Sequence, residues 1–207
     1  MSPVHRFISR LATLSVLAFA SQPSCAGVAD PVSVLGPQRL LVVAVRFPGT
    51  GPTQTLDQIR EKIGRVDRYI RSASYGKAWL EPRLTGWHEM PAPVGDYSVS
   101  PRNFQVDRGR VRRLVSDALG AARRDIDLSA YRHVWIVVGV FTRPGEGYGM
   151  IAYAANPGML SRIRGGAARL ETVDLAAGGS YSGAAIVSAE NAHVGHVVHD
   201  LLLSVVT

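Results

Sequence analysis

The chain has 207 residues, 46% of them hydrophobic and 19% charged, enough for one globular core and short for two. Those proportions exclude a disordered, collagenous or coiled-coil chain, and the single cysteine, Cys25, excludes both a disulfide framework and a cysteine-ligated zinc site within one chain. The net charge of +7 rests on 21 Arg and only 2 Lys, a bias that reflects coding composition before it reflects a binding surface, so charge alone names no nucleic-acid or other polyanionic partner.

Residues 1–26 have the layout of a secretion signal. Arg6 and Arg10 precede the apolar stretch Leu11–Ala20, and Ser24-Cys25-Ala26 places small residues at the cleavage-determining positions. Ten apolar residues are too few to span a bilayer, and no later segment reaches the roughly 18 to 20 that a span needs. Cleavage after Ala26 removes Arg6, Arg10 and the only thiol, leaving 21 basic against 16 acidic residues, a charge of +5. The expected location is therefore secreted or periplasmic, with a lipoprotein acylated at Cys25 as the alternative.

Residues 27–37 read as a linker and 27–207 as one domain. The run Arg39-Leu-Leu-Val-Val-Ala-Val-Arg46-Phe47, stopped by Pro48-Gly49, predicts a strand buried on both faces. Thr55 and Gln58 have capping-box spacing, and Leu56, Ile59, Ile63, Val66 and Ile70 form the apolar stripe of a helix that Gly76 can stop, with Lys62 among the polar residues elsewhere on it. Lys77–Met90 predicts an extended segment, and Pro82 places it at an edge or a bend. Pro91–Pro101 reads as a loop.

Asp107 can cap a second helix with its stripe at Val111, Leu114, Val115, Ala118, Leu119 and Ala122. The strongest strand follows, His133–Phe141. Buried strands alternating with long helices argue for a layered α/β protein. From Arg143 to Ser188 the Gly-, Ala- and Ser-rich texture supports only short strands and loops, and Ser188–Val206 has helical spacing with three histidines. Arg108-Gly-Arg-Val-Arg-Arg113, diluted by Asp107, Asp117 and Asp125, reads as solvated helix surface. Gly145-Glu-Gly-Tyr-Gly149 lacks the ending of a nucleotide loop, and Ser180-Tyr-Ser-Gly183 does not form a serine-hydrolase elbow.

His193, His196 and His199 stand three apart, which on a helix places them within a band of about 120°. Two or three of them could face one ion. They could equally be the polar side of an amphipathic helix whose apolar side is Val194, Val197, Val198, Leu201 and Val205.

Leu-Val-Val-Ala-Val-Arg-Phe-Pro-Gly at 41–49, Ser-Tyr-Gly-Lys at 74–77 with Thr85-Gly-Trp87 downstream, Tyr131–Gly139, and Val-Gly-His-Val-Val-His-Asp at 194–200 resemble secreted zincin metallopeptidases of the gametolysin-like and immune-inhibitor-A-like kind. The resemblance covers roughly residues 38–203. It implies an α/β (α+β) fold with a twisted mixed sheet packed by two helices plus a histidine-bearing helix at the C-terminus. It also implies zinc as cofactor, a polypeptide substrate and peptide-bond hydrolysis by zinc-bound water, and it leaves the oligomeric state open.

In that family two histidines one turn apart hold the zinc and the glutamate between them acts on the metal-bound water. Matched residue by residue, His199 falls on the first ligand and Asp200 on the catalytic carboxylate. The second ligand position is Leu203, and a third ligand ten residues after the first would lie beyond Thr207. Catalytic zinc usually takes three protein ligands and one open position. Two repairs follow: a site shifted by one turn, built on His196 and His199 with His193 or Glu190, or a domain incomplete at its C-terminus. The competing expectation is a catalytically dead relative, a pseudoenzyme, acting as a binding module.

Overall fold

A computed structural model describes residues 33–99, 107–142, 160–162, 168–170 and 172–205. The expected secretion signal with Cys25, and residues 145–149, lie outside the described residues.

The predicted first strand is β1, Gly36–Arg46, and every side chain from Leu40 to Val45 is buried. The helix after it is α1, Leu56–Ala73. Thr55 caps it through both halves of the capping box: Thr55 Oγ1 accepts the Gln58 N–H, and Gln58 Oε1 accepts the Thr55 N–H. It ends as the sequence predicts, where Gly76 at φ +75° donates its N–H to the Arg71 carbonyl at 2.7 Å.

Strand β2, Ala78–Glu89, pairs in parallel with β1 and forms one edge of the sheet. That edge is blocked against further pairing over its first half. The Ala78 N–H donates to Ser74 Oγ at 3.0 Å, the Leu80 N–H donates to Asp67 Oδ1 at 2.7 Å, and Pro82, next in that alternation, has no N–H.

The segment read as a loop contains one helical turn, α2, Val94–Tyr97, which buries Tyr97 and lets its hydroxyl donate to Asp117 Oδ2 at 2.5 Å. Asp117 belongs to α3, Arg108–Ala122, capped by Asp107 as expected. Strand β3, His133–Val138, stops short of the predicted Phe141; at Gly139 the chain passes so close to its neighbours that a Cβ would sit 2.7 Å from the Trp87 ring and 2.9 Å from the Val45 carbonyl oxygen, which is why a glycine stands there.

Four short strands, β4 (Leu160–Arg162), β5 (Ala168–Leu170), β6 (Val173–Asp174) and β7 (Ser180–Tyr181), form two separate antiparallel pairs. Strand β8, Ala184–Ala189, rejoins the main sheet, whose order is β2-β1-β3-β8. The last helix, α4, spans Val194–Val205. Residues 188–193, expected to open that helix, instead finish β8 and turn. Ser188 is held in the strand by its ladder to Val137 and by the Trp135 Nε1–H, which donates to Ser188 Oγ at 2.7 Å.

The expected mixed sheet is parallel throughout its four described strands. The reason is connectivity: α1 carries the chain from β1 back to the start of β2, and α2 and α3 carry it back to the start of β3, as parallel pairing requires. Helices cover both faces. On one, Ile59, Ile63 and Val66 of α1 and Val197, Val198 and Leu201 of α4 pack on Leu40, Val42, Trp135, Val137 and Ile186. On the other, Leu114, Val115, Ala118 and Leu119 of α3 pack on Leu41, Val43, Val134 and Ile136. Burying large apolar side chains contributes roughly 1.5 to 3 kcal/mol each, so both layers are cores in their own right.

Candidate functional site

Helix α4 follows β8 after a turn of four residues, so its first turn stands at the C-terminal ends of the parallel strands, where open α/β sheets usually bind ligands. The turn is anchored by Glu190, whose side chain is fully buried. Glu190 Oε1 accepts the Thr53 hydroxyl at 2.6 Å and the Thr53 N–H at 3.0 Å, and Oε2 accepts the Thr53 and Gln54 N–H groups at 2.9 and 3.0 Å. Its backbone carbonyl accepts Lys62 Nζ. Lys62, expected among the polar residues of α1, is only 5% exposed, and burial, with Arg65 adding to it, lowers its ammonium pKa. The spacing 59-62-63-66 already placed Lys62 beside the apolar stripe. Nothing local to Glu190 announced its partners, which stand 136 and 137 residues earlier in the chain.

The three histidines all lie on the exposed side of α4, and Val197, Val198 and Leu201 form the buried side. His193 is the residue before the helix, and its Nδ1 accepts the Gly195 N–H at 3.1 Å in the manner of a cap. Its ring stands edge-on to that of His196 with centroids 6.3 Å apart. The His199 side chain is 71% exposed, and its Nδ1 lies 2.9 Å from Oδ1 of Asp200, whose side chain is 10% exposed. Burial raises the Asp200 carboxyl pKa, opposed by the hydrogen bond and charge of His199 and then the charge of His196.

The structure therefore joins His199 to Asp200, brings His193 beside His196, and leaves Glu190 out, since all its carboxylate bonds go to residues 53 and 54. A carboxylate hydrogen-bonded to an imidazole fixes the ring's orientation and tautomer. A catalytic zinc needs more. Among the described residues no three His, Cys, Asp or Glu side chains converge as a metal site, and one His193 nitrogen already serves the helix terminus. Among the described residues, the donors as placed do not fit a three-ligand zinc centre. Among the described residues, no helix is long and apolar enough to cross a membrane.

In comparisons with known proteins, the sequence matches no protein-family model and no curated protein significantly.

Proposed function

We propose that this protein is a secreted relative of the zincin metallopeptidases that keeps the scaffold for peptide-bond hydrolysis but lacks a catalytic zinc centre of its own. The observation that carries the reading is α4. The helix directly after the last strand of the sheet bears His199 and Asp200, the positions that the resemblance matches to the first ligand and the catalytic carboxylate, while one turn further on the chain offers Leu203 instead of a ligand. With Leu203 one turn on, His199 lacks the second donor that would help hold an ion able to lower the pKa of a bound water toward about 7 for the Asp200 carboxylate to deprotonate. What remains is a rigid α/β body able to act as a binding module.

The deciding measurement is metal content and peptidase activity of the purified protein beside the His196→Ala and His199→Ala variants. The expected result is zinc well below one per chain and no hydrolysis of unstructured polypeptide. One zinc per chain, lost in both variants, would overturn the reading and establish the shifted site on His196 and His199.

A further inference from the structure

On the α3 face of the sheet, two arginines stand abreast where β1 and β3 begin. The ladder pairs Leu40 with His133, so one step earlier Arg39 and Arg132 are neighbours on adjacent strands, their backbones roughly 4.8 Å apart. By alternation their side chains leave on the face of Leu41 and Val134, which pack against α3. Like charges side by side on a sheet repel. Neither guanidinium is neutralised: among the described residues no carboxylate forms an ion pair with Arg39 or Arg132.

Both arginines are held in place by other means. The Arg39 guanidinium carbon lies 5.2 Å from the centroid of the Tyr131 ring, a stack that draws it toward β3 and away from Glu81, its neighbour on β2. Stacking engages the flat face of a guanidinium and leaves the N–H donors at its rim free. Arg132 is fixed through its backbone, whose carbonyl accepts the Ala184 N–H at 2.8 Å and the Tyr181 hydroxyl at 3.0 Å. Burial raises the Tyr181 phenol pKa and the Arg132 charge opposes it, so that guanidinium is within electrostatic reach of the ring.

Tyr131, Arg132 and Tyr181 line a cavity of about 440 Å³, with Ser180 and Ser182 at exposed positions beside them. The next position in this row, on β8, is Gly183, which has no side chain to fill the space. Among the described residues no carboxylate lines the cavity. Asp127 lines the adjoining one, where its carboxylate accepts the N–H and hydroxyl of Ser129. We propose that Arg39 and Arg132 form a binding site for a phosphate group, the two guanidinium forks taking its oxygens and the Ser180 and Ser182 hydroxyls serving as further donors. Charge selects this occupant: a phosphate monoester carries about −1.5 to −2 at pH 7 and three acceptor oxygens, enough for two forks, whereas a carboxylate brings one charge and two oxygens. The site is at the far end of the strands from His193 and does not depend on the peptidase reading.

Calorimetric titration of the purified protein with phenyl phosphate and with inorganic phosphate tests the proposal, with benzoate as the singly charged control. The expected result is one phosphate group per chain, weakened at least about tenfold by Arg39→Gln and by Arg132→Gln. Arg68→Gln, which removes a charge from an exposed position of α1, should leave it unchanged. Tighter binding of phenyl phosphate than of the free ion would identify an organic monoester as the source, and equal binding would identify inorganic phosphate. Arg39 and Arg132 are exposed, so both variants should keep the cooperative urea transition of the wild-type protein, and phosphate should raise the wild-type midpoint more than that of either variant. No saturable binding, binding undiminished in Arg39→Gln or in Arg132→Gln, an equal loss in Arg68→Gln, or benzoate bound as tightly as phenyl phosphate would overturn the proposal.

Discussion

Helices α1 and α4 lie on the same face of the sheet and share one core, yet they are anchored in different ways. The start of α1 is determined by its own sequence: a full capping box at Thr55 and Gln58, Asp57 in the first turn, and Arg71 in the last. The start of α4 has no acidic residue in its first turn, and the side chain at its head is an imidazole. What fixes α4 is tertiary: Glu190, in the turn just before it, grips the chain just before α1. A helix can be specified by its own ends or by the element it is tied to. The helix that carries the candidate chemistry is of the second kind.

The sharpest way to break this difference is to cut the tie. Glu190→Ala leaves the N–H groups of Thr53 and Gln54 and the Thr53 hydroxyl without their buried acceptor, and removes a charge-assisted network rather than a single bond. The expected loss is about 3 kcal/mol of unfolding free energy, read as a lower urea midpoint. Hydrogen exchange should show the turn 190–193 and the start of α4 opening more often than the interior of α1 in this variant. Equal loosening of both helices would show that Glu190 contributes general stability and not the position of α4.

The same contrast explains which parts of the molecule the sequence made legible. Strands β1 and β3 and helices α1 and α3 have local signatures: β-branched runs buried on both faces, and apolar stripes that start at a capping side chain. Strand β8 does not, because Ala-Ala-Ile-Val-Ser-Ala owes its strand state to the ladder with β3 and to the Trp135 bond on Ser188, both remote in sequence. That is why the reading of residues 188–193 as helix failed. The burial of Lys62 was visible in its spacing once its neighbours Ile59, Ile63 and Val66 were taken as one face. The histidines of α4 show the limit of spacing as evidence. A three-residue interval places side chains in one band of a helix, but whether the rings converge on an ion depends on what stands opposite them, which no interval records.

A buried histidine beside the same two helices gives the next effect in size. His133, at the start of β3, borders the cavity that Ile70 of α1 and Leu201 of α4 also line, and burial holds its imidazole at about 4 against an ordinary 6.5. The folded protein therefore binds fewer protons than the unfolded chain between those values, so stability rises with pH across that window. It is fully present above about 6.5 and falls progressively as the pH drops to about 4. His133→Gln, which cannot titrate, should flatten that part of the profile in urea unfolding measured between pH 4 and 7.

The smallest effect tests the helix ends themselves. Thr55→Ala removes the acceptor for the Gln58 N–H and half of a reciprocal pair, and caps of this kind contribute about 1 kcal/mol. His193→Ala removes the acceptor for the Gly195 N–H, but that ring is exposed and the single bond is 3.1 Å long, so the loss should be roughly half as large. The two variants should also differ in where the damage falls. If α1 owes its start to its own cap, Thr55→Ala frays its first turn in hydrogen exchange and leaves α4 intact. If α4 owes its start to Glu190, His193→Ala lowers stability slightly without moving the helix. A loss for His193→Ala as large as that for Glu190→Ala would reverse the assignment, making the imidazole the anchor of α4 and committing His193 to structure rather than to any ion.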